Sequence, residues 1–258
     1  VWDYSDHHLV DSFDPGAESL QRINISAGDS FSLEQSTNGM WQISSPSKLP
    51  ADEELVFALL GRLRNMEAVS REREVVGDFS AFGLAKPTTQ YTLLQRGGTN
   101  TILGQISFGA PAGETSEELF ARRFDEDSVY RVRAVERQLL PAYSYQLRHR
   151  RFWNFPAKAV TKITLTQGEQ SLELLRNQDG EWTRTGQPLT EDQREKIPTA
   201  LGALGRLQAA RWTARGADKL ATYEIIQRKK SVTLELQHNG QTLTRKIQFG
   251  KQSELFNF

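Results

Sequence analysis

Two short stretches of the chain share one pattern and decide how the rest is divided. NGMWQISSP spans residues 38–46, and DGEWTRTGQP spans residues 179–188. In each, a polar residue and a Gly are followed two residues later by a Trp, and alternating residues then run towards a Pro. Asn-Gly and Asp-Gly favour tight hairpin turns. Each Trp is therefore predicted to begin the strand that follows the hairpin turn and to anchor a hydrophobic core. The alternative is that the Trp ring stacks on a ligand.

The spacing between the two stretches is kept over a long part of the chain. Trp41 and Trp182 are 141 residues apart, and this offset aligns the chain without a gap as far as Gly109 and Gly250. The aligned pairs include Leu60 with Leu201, Leu63 with Leu204, Met66 with Leu207, Phe82 with Tyr223, and Leu93 with Leu234. One register over such a span indicates a tandem duplication. We predict a first repeat unit over residues 1–150 and a second over 151–258, which lacks the last strand and helix of the first.

Hydrophobic periodicity predicts the elements of each unit. RINIS, FSLEQ and MWQIS alternate with a period of two, which is typical of half-buried strands. The segment from Asp52 onwards has apolar residues at helical spacing and acids in its first turn, so an amphipathic helix is predicted to start there. Its counterpart has a candidate capping box at Thr190 and Gln193. Because proline is unfavourable inside a helix, Pro198 predicts either a kink in this second helix or the start of a new helix. The predicted class is α+β, with an antiparallel sheet and an amphipathic helix in each unit.

The composition excludes several classes of function. The 258 residues carry 32 Lys+Arg and 32 Asp+Glu, so the formal net charge is zero, which argues against a general nucleic-acid binder. The chain has no cysteine, which removes disulfides, thiol nucleophiles and zinc–thiolate sites. It contains no nucleophile elbow, zinc-protease motif or phosphate-binding loop. We therefore predict no enzymatic activity, no catalytic residue and no cofactor.

Two local clusters are candidates for binding. His7 and His8 lie among four aspartates near the start of the chain and could bind a divalent metal. We predict no metal there, because neighbouring residues of a strand point to opposite faces and a solvated terminus explains the pattern.

The second cluster joins the two predicted units. Basic and aromatic residues alternate there, and such mixtures bind nucleic acid, anionic lipid or acidic glycans. The candidate interaction patch consists of Tyr145, Arg148, Arg150, Arg151 and Trp153. The alternative is a structural connector, in which Phe152, Trp153 and Phe155 are buried and fix the orientation of the units.

Several segments in this order resemble a bacterial family, the domain of unknown function family 4340. They are a Trp strand ending in Pro, an aromatic-Gly-Leu-x-x-Pro segment, a strand ending in Phe-Gly, and a Val-Tyr strand. The matching residues are Trp41, Ile43, Pro46, Phe82, Gly83, Leu84, Pro87, Phe108, Gly109, Val129 and Tyr130. Gly83 is predicted to adopt a positive φ, and Pro87 to precede an edge strand. Unit two departs from the pattern, with Glu224 in place of Gly83.

The resemblance implies a location and partners rather than a reaction. Members of the family are held to the cytoplasmic membrane by an N-terminal helix, with these domains outside, beside components of gliding-motility-type ABC transporters. The expectation is a non-catalytic, extracytoplasmic interaction module at the periplasmic face. It would be tethered to the membrane through a segment absent from this chain. Its partners would be other protein subunits, and it would not bind nucleic acid. A glycan- or lipid-binding domain with hydrolytic activity is the alternative.

Overall fold

The computed structural model describes residues 20–95, 101–113, 115–185 and 187–252. They form two compact units, of which the first ends at His149 and the second begins at Arg150. Each unit combines an antiparallel sheet with helices, which confirms the predicted α+β class. The histidine pair near the start lies outside the described residues.

Unit one is built on a nine-stranded sheet. Its strands are β1 (Leu20–Ser26), β2 (Ser30–Gln35), β3 (Trp41–Ser45), β4 (Leu49–Pro50), β5 (Ser70–Arg73), β6 (Thr89–Gln95), β7 (Ile102–Ala112), β8 (Glu118–Arg123) and β9 (Val129–Arg133). They lie in the order β4-β3-β2-β1-β6-β7-β8-β9-β5. Helices α1 (Glu53–Arg64) and α2 (Ala134–Gln138) complete the unit with short 3-10 turns, one of them at Ser144–Leu147.

Helix α1 supplies much of the core of unit one. Its first turn is capped by the Asp52 carboxylate, which accepts a hydrogen bond from the Leu55 amide, as the acidic start of the segment predicts. One face is fully buried, and it carries Val56, Leu59, Leu60 and Leu63. These side chains pack against the inward residues of β1, β2, β3 and β6, including Trp41. The amphipathic pattern read from the sequence is thus the pattern that closes the core.

Unit two repeats the central part of this architecture with fewer strands. Its elements are β10 (Val160–Gln167), β11 (Gln170–Arg176), β12 (Trp182–Arg184), α3 (Glu191–Gly205), α4 (Ile225–Arg228), β13 (Lys230–His238) and β14 (Gln241–Phe249). The strands lie in the order β12-β11-β10-β13-β14. The predicted capping box of Thr190 and Gln193 is present. Pro198 lies inside α3 without ending it, so the expectation of a new helix at Pro198 is wrong.

The strand registers around the central strands β1 and β10 agree between the two units. In unit one Ile23 faces Leu33 on β2 and Leu93 on β6. In unit two Ile163 faces the corresponding residues, Leu174 and Leu234. The register also slips at the same place, between Leu20 and Arg22 in β1 and between Val160 and Lys162 in β10. A one-residue change in register would turn every side chain to the other face, so both sheets present the same set of positions to their cores.

A tight turn packs against the end of β7 and of β14 in the same way. The Leu84 amide donates to the Phe79 carbonyl at 3.1 Å, and the Ile225 amide donates to the Leu220 carbonyl at 3.0 Å. Gly83 has φ of 67°, which confirms the predicted positive φ. The prediction that Pro87 precedes an edge strand is wrong, because β6 lies between β1 and β7.

Candidate functional site

An open groove on the core face of the unit-two sheet is the candidate site. It has a volume of about 710 Å³ and is lined by Leu165 of β10, Leu172 of β11, Val232 of β13 and Phe249 of β14. We call this the unit-two groove. Leu165 is 38 % exposed and Phe249 39 % exposed, although alternation along their strands turns both towards the core side. Large apolar side chains held in a concave surface favour the binding of another apolar group.

The matching positions of unit one are closed. Ile25 corresponds to Leu165 through the strand pairing and is 2 % exposed, as is Phe108, which corresponds to Phe249. Phe31 and Tyr91, which match Leu172 and Val232, are also buried. Sheet geometry therefore does not explain the exposure in unit two, because the same sheet positions are buried in unit one.

The segment after β9 closes this region in unit one. Leu140 and Leu147 belong to the core, and the Tyr91 hydroxyl donates to the Pro141 carbonyl at 3.0 Å. Burial raises the pKa of Tyr91 to about 12, because the ionised phenolate would lose its hydration. Asp29 accepts hydrogen bonds from the amide and hydroxyl of Ser144, at 3.0 and 2.9 Å. Together these contacts hold the covering segment over the core face.

The described part of unit two contains no counterpart of this cover. Its described residues end at Gln252, shortly after β14, and none of them forms a strand or segment equivalent to β8, β9 or residues 140–147 of unit one. The lining of the unit-two groove also includes Arg184, Lys230 and Ser231. The groove therefore combines apolar and basic side chains.

Sequence reasoning missed this groove because the strands that line it look the same in both units. The Ile-Ser-Phe-Gly end of β7 and the Ile-Gln-Phe-Gly end of β14 have one pattern. The available signal was that the gapless alignment of the two units ends at Gly109 and Gly250, so it does not include residues 140–147 of unit one. The alternation of residues along a strand shows which face of the strand is apolar. Whether that face is buried depends on residues distant in the sequence.

The residues of the predicted interaction patch are divided between the two units. In unit one, the Tyr145 ring stacks on Tyr143 with centroids 5.5 Å apart, and Arg148 forms a backbone bridge with Ala51. In unit two, the Arg150 carbonyl accepts from the Ala209 amide at 2.8 Å, and Arg151 bridges Gln208. These contacts fix the backbone of the segment. Its role as an interaction patch stays a prediction.

The connector aromatics are buried unequally. Trp153 is 8 % exposed within the core of unit two, and Phe155 packs against that core with its ring centroid 5.8 Å from that of Trp153. Phe152 is 42 % exposed and contacts the ring of Trp212, so the prediction that it is substantially buried is wrong. Successive residues of an extended segment point to opposite sides, and the side of Trp153 is the one that meets the core.

A second, smaller concavity lies beside these aromatics. It measures about 300 Å³, and its lining includes Trp153, Phe155 and Leu236 together with His238 and Arg245. Apolar side chains near a guanidinium suit a small amphipathic anion. This concavity is the feature of unit two that a lipid- or glycan-binding function would use.

Two further kinds of feature are absent from the described residues. They hold no group of three or more His, Asp or Glu side chains placed to bind a metal ion. None of their helices is both long and apolar enough to cross a membrane.

Comparison with known proteins identifies the family. The family model described as "Domain of unknown function (DUF4340)" matches residues 41–227, which is more than half of the chain and runs from β3 of unit one to α4 of unit two. The chain belongs to this family. Neither the curated proteins nor the solved structures contain a match to it.

Proposed function

We propose that the two units arose by tandem duplication of one ancestral unit. The shared strand registers and the shared bulge support this origin. So does a matched close contact: an added Cβ at Gly109 would lie 2.1 Å from the Phe82 carbonyl oxygen, and one at Gly250 would lie 2.0 Å from that of Tyr223. These four residues keep the 141-residue offset found in the sequence.

The function proposed for the chain is that of a non-catalytic protein-interaction module. The observation that carries it is the exposure of Leu165 and Phe249 in the unit-two groove, where the matching side chains of unit one are buried. Exposed apolar surface of this kind marks docking sites on soluble domains. Unit one, which is closed, would act as the scaffold that presents unit two.

The proposed setting is the outer face of the cytoplasmic membrane. There the module would be tethered by a segment absent from this chain and would serve as an accessory of an ABC-type transport or gliding machinery. This part of the proposal rests on the family resemblance. The groove adds a surface through which such an accessory would hold another subunit.

Photo-crosslinking tests the proposal directly. A photoreactive amino acid in place of Leu165 is irradiated in membranes of the source cells, and the adducts are identified by mass spectrometry. Leu175 is the matched control, because it is 43 % exposed and its neighbour Leu174 points to the core, so Leu175 faces the other side of the sheet. The proposal predicts an adduct with a defined membrane-machinery protein from position 165 only. Equal labelling from both positions, or none, would contradict it.

The alternative is a lipid- or glycan-binding domain, and the concavity beside Trp153 favours it. Arg245 would meet an anionic headgroup or sugar acid while Phe155 and Leu236 contact the apolar part. In the crosslinking experiment this function would give lipid or glycan adducts from a photoreactive group near Arg245 and none from position 165.

A further inference from the structure

The cation beside Trp153 lies on the core face of its strand. Arg245 belongs to β14 and faces Leu234 of β13 across the strand pair. Residues that face each other in an antiparallel pair lie on the same side of the sheet, and Leu234 is fully buried in the core of unit two. The Arg245 side chain therefore starts on the core face, where it lines the concavity together with Leu236 and Leu243.

Unit one has no side chain at the matching position. Gly104 of β7 faces Leu93 of β6 as Arg245 faces Leu234, and it keeps the 141-residue offset from Arg245. The arrangement of strands that the two units share therefore needs no side chain at this place. Packing of the sheet does not account for the guanidinium in unit two.

The described contacts of Arg245 leave donors for a ligand. The guanidinium donates to the Thr244 carbonyl at 3.3 Å, and it forms no ion pair with a carboxylate of the residues described for unit two. None of the side chains from these residues that line the concavity is acidic. Because a guanidinium presents its N–H donors in a planar fork, it suits a carboxylate that is bound through both oxygens.

The aromatic wall of the concavity is held by backbone contacts. Trp153 and Phe155 lie on an extended segment that runs beside the end of α3, where the Phe152 amide donates to the Leu207 carbonyl at 2.9 Å. The same segment packs closely against the last residue of α3, because an added Cβ at Gly205 would lie 2.3 Å from the Phe155 carbonyl oxygen. A wall fixed in this way loses little conformational entropy when a ligand binds.

The size and lining of the concavity restrict the ligand further. Its volume of about 300 Å³ is at the lower end of the range of small-molecule sites. It suits a single ring or a short acyl chain rather than a segment of polymer. The apolar body of such a ligand would contact Phe155, Leu236 and Leu243, while its charge meets Arg245.

We propose that this concavity binds a small organic carboxylate, with the carboxylate on the Arg245 guanidinium and the apolar body against the aromatic wall. The site goes beyond the protein-interaction function and does not depend on it, because the concavity and the unit-two groove share no lining residue. A free aromatic acid and a fatty acid carried in a membrane both present this chemistry.

Calorimetric titration of the full chain with phenylbutyrate tests the site. Phenylbutyramide is the matched ligand without the charge. Arg245→Gln removes the cation of the concavity, and Lys246→Gln is the matched control. Lys246 is the next residue of β14 and faces Thr233 on the opposite side of the sheet, so its loss changes the net charge equally but leaves the concavity intact. Both residues are exposed, so neither substitution removes a core contact.

The expected result is saturable binding of phenylbutyrate that weakens about tenfold or more in Arg245→Gln and less than about twofold in Lys246→Gln. Phenylbutyramide should bind about tenfold or more weakly than the acid. In nuclear magnetic resonance spectra, phenylbutyrate should shift the indole N–H signal of Trp153, which places the ligand at the aromatic wall.

Vesicles of phosphatidylcholine with and without oleate distinguish the two sources of the carboxylate. Sedimentation of the chain with the oleate vesicles only, lost in Arg245→Gln, would support a membrane-borne acid. Phenylbutyrate binding without such sedimentation would support a free acid.

Equal effects of Arg245→Gln and Lys246→Gln, equal binding of acid and amide, or no saturable binding of phenylbutyrate or of the oleate vesicles would overturn the proposal. None of these results bears on the proposed interaction function, because photo-crosslinking from position 165 reports on the unit-two groove.

Discussion

Glu224 in unit two has the left-handed backbone conformation that Gly83 has in unit one, with φ of 57° and 67° respectively. Both residues follow the last residue of the turn that packs against the Phe-Gly end of a strand. A residue with a Cβ is strained in this region by roughly 1–2 kcal/mol. The two units therefore share this turn conformation, with a glycine in unit one and a glutamate in unit two.

The first prediction follows from this strain. Glu224→Gly should raise the stability of unit two by about 1 kcal/mol, because glycine adopts a positive φ without steric cost. The substitution also removes an ion pair with Arg228 at 3.0 Å, but that pair is exposed and contributes well under about 1 kcal/mol. Urea unfolding of both variants provides the measurement. Glu224→Ala, which loses the ion pair and keeps the strain, should be less stable than Glu224→Gly, and the reverse order would show that the turn is not strained.

The second prediction concerns Gly109, which lies within β7, and Gly250, which directly follows β14. Gly109→Ala and Gly250→Ala should each destabilise their own unit by roughly 1–3 kcal/mol, because the new methyl group would overlap a backbone oxygen that cannot move alone. Gly61→Ala is the control: it lies within α1 with open space around it, and it should stabilise unit one by about 0.5–1 kcal/mol. Chemical denaturation of the three variants checks the signs. A neutral Gly250→Ala would mean that the close contact is absent from unit two.

The third prediction separates the two neighbouring aromatics of the connector. Trp153→Ala should cost unit two about 3–5 kcal/mol, since it empties a buried site in a small core. Phe152→Ala should cost much less, because the ring is 42 % exposed and contacts mainly Trp212. Thermal melts that show equal losses for both variants would contradict the assignment of Trp153 to the core. The role of the connector in orienting the units stays a prediction.

The fourth prediction is a pH dependence of unit one. The pKa of Tyr91 is raised by burial to about 12, whereas an unfolded tyrosine ionises near 10. Below pH 10 both states are neutral and the stabilising contribution is complete. As the pH rises from 10 to 12, only the unfolded state loses its proton, so the free energy of unfolding falls, by roughly 2–3 kcal/mol in total.

Tyr91→Phe checks the source of that dependence. The variant should lose about 1 kcal/mol at neutral pH, because the Pro141 carbonyl loses its donor. Its stability should then fall less steeply between pH 10 and 11.5 in urea titrations. A remaining slope is expected from Tyr130, whose pKa is raised by burial and by Glu126. An unchanged slope in Tyr91→Phe would show that Tyr91 is not the group responsible.

Local features of the fold could be predicted from the sequence, whereas coverage of the sheets could not. Hairpin turns, the start of α1 at Asp52 and the left-handed Gly83 depend on residues close in the chain. The burial of Phe108 depends on residues that come later in the chain, such as Ala121 of β8, and these have no equivalent in the described part of unit two. The expectation of a new helix at Pro198 was wrong for a related reason, since tertiary packing of Leu201 holds α3 together across a residue of poor helix propensity.

Hydrogen exchange in the free protein tests the central claim, an open edge and groove in unit two, most directly. The amides of β7 from Ile106 to Phe108 lie between two strands, and all of them should exchange slowly. Among the matching amides of β14, from Ile247 to Phe249, those that do not point towards β13 should exchange at rates close to those of exposed loops. Equal, strong protection of every amide in both strands would show that the edge of β14 is already covered, and would contradict the account.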